Sequence, residues 1–132
     1  MEGVEYVGSV GQTRLAAEMA EVDALAYPST FAETFCIAAM EAMSVGALLI
    51  STRLGALPEL NSEYGVFTDF DADKTRLARS YAQTVIRTLL HAASDPVASN
   101  LRRRAQIGFY RERFSWPQRA REWSAWLPTV TR

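Results

Sequence analysis

One cysteine and one histidine among 132 residues leave little for disulfide or metal chemistry. With Cys36 alone, no disulfide can close within the chain and no cysteine-based metal site can form. His91 lies far away in sequence, near the end of an apolar-periodic segment, and reads as a surface or capping residue. A cytoplasmic address fits such a chain. Long apolar runs are also missing. The most apolar stretch, from about Phe35 to Ile50, is broken by Glu41, Ser44 and Gly46, which excludes a membrane span. The opening MEGVEYVG has neither the basic nor the apolar part of a signal peptide, so none is expected. There is no Pro/Gly/Ser-rich tract and no internal repeat. At 48% hydrophobic and 22% charged residues, the composition is that of a folded chain with one core.

The net charge of −1 conceals an uneven split: residues 1–96 carry six Lys/Arg against thirteen Asp/Glu, and residues 97–132 carry eight against two. A basic end of this kind suits an anionic partner. Arg102, Arg103, Arg104, Arg111, Arg113, Arg119 and Arg121 are candidates for peripheral contact with an acidic membrane, although a solvated helix face or contact with another domain explains them at least as well. No nucleic-acid motif accompanies them, and the acidic front half would repel a phosphate backbone, so nucleic acid is not expected.

Short apolar runs alternate with helical periods in the first half. Val4 to Val7 reads as a strand ended by Gly8, and Thr13 to Val22 as a helix through Leu15, Ala16, Met19 and Ala20. Asp23 to Tyr27 is a second short strand, closed by Pro28-Ser29-Thr30. Cys36 to Val45 is small and apolar around Glu41, and Gly46 supplies the stop of a helix. Ala47 to Ser51 is an unbroken apolar run of strand length, the pattern of a parallel strand covered on both faces. After a loop from Thr52 to Pro58, Gly65 to Thr68 makes a fourth strand. Beyond Asp71 only helices follow: Thr75 to His91, Ser99 to Phe114, and a last one capped by Ser115 with Pro117 in its first turn. Trp116, Ala120, Trp123 and Leu127 form one stripe of that helix, expected to pack back on the domain, with Trp126 off the stripe. The expected fold is therefore α/β, a partial doubly wound, Rossmann-like parallel sheet over about residues 1–70 with C-terminal helices over about 71–132, in one domain.

In an open sheet of this class, ligands bind beyond the carboxyl ends of the strands. The segment PSTFAETFCIAAMEAM places Glu33 just before a helix and Glu41 within it, with seven residues between. The helix start near Cys36 and Ile37 offers unpaired N–H groups to a phosphate, and the two carboxylates can accept hydrogen bonds from sugar hydroxyls. Those features outline a nucleotide-sugar site. Cys36, with no histidine placed beside it, reads as a small packing residue rather than a nucleophile.

The segment resembles the E-x7-E motif of retaining GT-B glycosyltransferases, most closely glycosyltransferase family 4, whose usual pattern is E-x-F-G-(I/L)-x-x-x-E-A-M-A-x-G-x-P-V-I. The match covers Glu33, Phe35, Ile37, Glu41, Ala42, Met43, Gly46 and Ile50, with Pro28 and Ser29 upstream. The loop from Thr52 to Glu59 is similar to the family's T-x-x-G-G-x-x-E, and RFSWPQRAREW to a common family ending. Cys36, Leu48 and Ala56 stand where glycine, proline and glycine are usual.

The resemblance implies that this is the C-terminal, donor-binding part of a GT-B fold. Glu33 would contact the donor sugar and act in catalysis, and Glu41 would hold the ribose hydroxyls. Thr34, Phe35, Cys36 and Ile37 would line the donor, their backbone N–H groups facing its phosphates. It further implies a UDP- or GDP-sugar as substrate, no other cofactor, no metal, and no activity of this chain alone without an N-terminal acceptor domain. The alternative is a non-catalytic binding or assembly module derived from a glycosyltransferase, self-associating through exposed sheet edges.

Overall fold

The structure, a computed structural model, describes residues 2–61 and 63–130. Its elements are helix α1 (Gln12–Glu21), strand β1 (Ala24–Tyr27), α2 (Ile37–Ser44), β2 (Leu48–Arg53), α3 (Leu57–Asn61), β3 (Val66–Asp69), α4 (Lys74–Ser94), α5 (Pro96–Phe114) and α6 (Trp116–Val130). The strands form one parallel sheet in the order β1-β2-β3. Ala24 is in register with Leu48, and Ile50 with Val66. This is a partial Rossmann-like α/β unit carrying C-terminal helices.

β2 sits in the middle, and its apolar run has the consequence expected of it: Leu49, Ile50, Ser51 and Thr52 are all fully buried. Small residues let α2 approach the sheet closely, and Ala39, Ala42 and Met43 lie in the core. Full burial contributes roughly 1.5–3 kcal/mol for a side chain such as Leu49, Ile50, Leu57 or Met43. Gly46, at φ +92°, ends α2 in the left-handed region, close against the Arg103 side chain.

The long helices tie onto this sheet through polar bonds. Tyr81 of α4 donates to the Ile50 carbonyl at 2.8 Å. Gln106 of α5 donates from one amide nitrogen to the carbonyls of Met43 and Ala47, each at 2.9 Å, and so satisfies the C-terminal end of α2. Asp73 and Asp95 cap α4 and α5, while the Ser115 hydroxyl accepts from the Gln118 N–H at the start of α6.

Two expectations need correction and one element was missed. Val4 to Val7 is not a strand. Among the described residues the sheet has three strands and this exposed segment pairs with none of them, not even along the outer edge of β1, and an isolated strand does not hold its shape. The stripe of α6 does not pack back on the domain either. No residue of α6 is buried, and Trp116, Trp123 and Trp126 are 86%, 57% and 52% exposed. Trp126 instead meets Trp123 edge to face at a centroid distance of 5.3 Å. Within the loop after β2, the five residues of α3 form a helical turn anchored by buried Leu57 and Asn61.

Candidate functional site

Parallel strands bring the connections after β1 and after β2 to the same edge of the sheet. Both begin under tight control. The Ser51 hydroxyl donates to the Tyr27 carbonyl at 2.7 Å, and the Thr52 hydroxyl donates to the Ser29 carbonyl. Ser29, itself buried, donates to the Phe31 carbonyl at 2.8 Å and turns the chain. Two hydroxyl residues at the end of β2 thus fix the path of the loop that follows β1.

The two loops then touch. The Ala56 N–H donates to the Glu33 carbonyl at 2.8 Å. Gly55 lies at φ +57°, and a side-chain carbon there would fall 2.5 Å from the Glu33 oxygen and 2.6 Å from its nitrogen. Only glycine fits, both for its backbone angle and for the space. The Glu33 backbone is therefore clamped from the direction of the second loop.

Its side chain is held from the end of β1. Tyr27, the last residue of β1, donates its hydroxyl to Glu33 Oε1 at 2.6 Å. That bond, followed by burial and the neighbouring Cys36 thiol, pushes the Tyr27 phenol up to about 12. It is a neutral donor at physiological pH, suited to an ionised carboxylate. The structure thus brings Glu33, Tyr27 and Cys36 together, with Gly55 and Ala56 behind them.

Cys36 is the residue before the first turn of α2, at φ 57° and ψ 78°, the left-handed conformation that glycine adopts freely. It is half-buried against the core cluster of Met40, Met43 and Leu49. Its carbonyl accepts from the Met40 N–H at 3.3 Å, while its side chain makes no capping bond. The first-turn N–H groups of α2 point out of the helix without intrahelical partners. Around them Thr34, Phe35 and Ile37 are all exposed, and Glu41 is exposed on the second turn. Phe31 adds a further exposed ring to this rim.

Tyr27 is the part of this arrangement that sequence reasoning did not single out, while Ser29, Thr52 and Gly55 stood in the family patterns without any indication of these contacts. Tyr27 stands at the end of a strand six residues before the first glutamate, and Gly55 in a glycine-containing loop, but neither spacing alone implies a contact with Glu33. The basic end resolves into separate tasks. Arg102 donates to the Tyr64 carbonyl, and Arg103 to those of Ala20 and Val45. A groove of about 620 Å³ between α3, α5 and α6 is lined by Glu59, Glu63, Arg113 and Arg119 over Phe109 and Phe114. No helix among the described residues is long and apolar enough to cross a membrane.

A family model described as "Glycosyl transferases group 1" matches residues 1–91. The chain is also 33% identical over 87 residues to a protein of Arabidopsis thaliana whose name makes it one of the subunits of a phosphatidylinositol N-acetylglucosaminyltransferase. That match covers 65% of this chain and 19% of the relative, so the chain spans about a fifth of that protein's length. No solved structure matches the chain.

Proposed function

Because the chain belongs to the group 1 glycosyl transferases, we propose that it is the part of such an enzyme that binds the nucleotide-sugar donor, with Glu33 as the residue that meets the sugar. The observation that carries this reading is the double clamp on Glu33, whose backbone is held at Ala56 and whose carboxylate is held by Tyr27. A loop carboxylate fixed in this way, beside a helix start and beyond the ends of parallel strands, is suited to accept a sugar hydroxyl while N–H groups of α2 receive the diphosphate. Glu41 would then accept from the ribose. Retaining transfer at such a site depends on holding the donor in place and on stabilising the charge that grows on the departing diphosphate, both of which the α2 start can serve.

The relative's name specifies transfer of N-acetylglucosamine to a phosphatidylinositol, which makes UDP-N-acetylglucosamine the first donor to test here. Transfer itself would need an acceptor-binding region. Peripheral contact with an acidic membrane is a subordinate part of the proposal, because Arg102 and Arg103 spend their guanidinium groups on backbone carbonyls.

Calorimetric titration of the chain with UDP, GDP and their sugar conjugates tests the site. Saturable binding that Glu41→Ala weakens is expected. No binding at millimolar ligand would refute it. It would favour instead an assembly module, for which the unburied tryptophan face of α6 and the edge of β1, unpaired among the described residues, are the supporting observations.

A further inference from the structure

A glutamate in a loop ordinarily samples several rotamers, and a ligand that needs one of them must meet the cost of ordering it. At Glu33 that ordering is already present in the folded chain. The constraint can be followed from the centre of the sheet outward. Tyr27 is in register with Ser51, its carbonyl accepts from the Ser51 hydroxyl and from the Ser29 N–H at 2.7 and 2.9 Å, and its ring packs against the core cluster. Its hydroxyl then reaches Glu33 Oε1 at 2.6 Å. Glu41, by contrast, is exposed on its helix.

We propose that Tyr27 is a positioning residue for donor-sugar recognition: by occupying Oε1 of Glu33 it fixes the carboxylate plane and leaves Oε2 to accept a hydroxyl of the sugar. This inference rests on the donor-site reading above. Tyr27 acts through Glu33 and does not itself touch the donor. Its effect is accordingly confined to the sugar: the nucleotide half of the ligand, held at α2, is indifferent to it. The neutral state of the phenol is part of the device, since an ionised phenol would repel the carboxylate that it orients.

The test is a comparison of two ligands on two proteins. UDP and UDP-N-acetylglucosamine are titrated calorimetrically into the unsubstituted chain and into Tyr27→Phe, which keeps the ring and its packing. The expected result is UDP affinity unchanged within about twofold and conjugate affinity reduced on the order of tenfold, because the sugar must then meet the cost of ordering the carboxylate. Glu33→Ala and the double variant Tyr27→Phe/Glu33→Ala are then expected to bind the conjugate equally, because the phenol has no role without an acceptor at position 33. Conjugate binding by Tyr27→Phe equal to that of the unsubstituted chain overturns the inference alone, as does an equal loss for both ligands, which marks a merely structural role. Failure of the unsubstituted chain to bind either ligand overturns the donor-site reading and this inference with it.

Discussion

Gly55→Ala should cost far more stability than its single methyl group suggests. The added carbon would lie 2.5 Å from the Glu33 oxygen, 2.6 Å from its nitrogen and 2.8 Å from the Ala32 carbonyl carbon. All three are backbone atoms, so no rotamer change relieves the contact. The loops must part by several tenths of an ångström, and the Ala56 to Glu33 bond lengthens with them. Overpacking of this kind costs about 1–3 kcal/mol, and the left-handed φ of +57° adds roughly 1–2 kcal/mol for a residue with a side chain. The stiffer unfolded chain returns about 0.4–1 kcal/mol. The net loss is about 3 kcal/mol, or on the order of 10 °C in Tm for a chain of this size. Gly108→Ala is the matched control: nothing lies within 4 Å of its added carbon, and it sits inside α5, so it should gain about 0.5–1 kcal/mol. Thermal unfolding followed by circular dichroism reads both. A Gly55→Ala variant melting within about 2 °C of the parent would refute the loop-to-loop clamp.

Gln106→Leu should lose about 2 kcal/mol in urea unfolding, since it takes this donor from the Ala47 carbonyl and leaves that of Met43 only its local backbone bonds, such as the one from the Gly46 N–H. The loss is held down because Oε1 of the same amide has no protein partner; an unchanged midpoint would contradict it. Cys36→Gly should largely escape the usual penalty for introducing glycine. Relief of the left-handed strain, roughly 1–2 kcal/mol, offsets the entropy that glycine adds to the unfolded chain, about 0.4–1 kcal/mol, and the packing of the half-buried thiol, on the order of 0.5–1 kcal/mol, so stability should stay within about 1 kcal/mol of the parent, and a loss of about 2 kcal/mol or more would count against the strained conformation. Asp71 should contribute to acid sensitivity. Bonds from Arg76 at 2.8 and 3.0 Å and from the Asp73 N–H at 2.8 Å hold its carboxyl down to about 2. A lowered folded-state value means that the contribution is present above the ordinary value of 3.8 and fades as pH falls toward about 2. The stability gap between the parent and Asp71→Asn should therefore narrow across that window, and a gap independent of pH would rule the pairing out.

What could be read from residues alone follows a physical division. β2, α2, Gly46 and the Ser115 cap are local: an apolar run, a small-residue period, a left-handed stop and a hydroxyl before a helix each act within a few residues. Glu33 and Glu41 were visible because their spacing lies within one segment. Tyr27 was not, because its role depends on the end of a strand meeting a loop carboxylate that the second loop has pushed into place. The five residues of α3 are too few for any period to emerge. Val4 to Val7 illustrates the converse error. Its composition suits a strand, but a strand is a relation between two segments, and composition describes only one.

The basic end shows the same division in charge. Eight cations against two anions over residues 97–132 suggest a surface that attracts anions, yet a guanidinium is also a long donor able to reach carbonyls left open by other elements. Arg103 donates to the carbonyls of Ala20 in α1 and Val45 after α2 at 3.1 and 3.3 Å, and Arg102 donates to that of Tyr64 ahead of β3. Those two arginines thus join three parts of the chain to α5, and they are held by neutral acceptors that cancel none of their charge. Removing them should therefore loosen the packing of α5 while also lowering the positive potential. A charge-reduction experiment meant to probe anion binding must use the exposed Arg104, Arg111 and Arg121 instead.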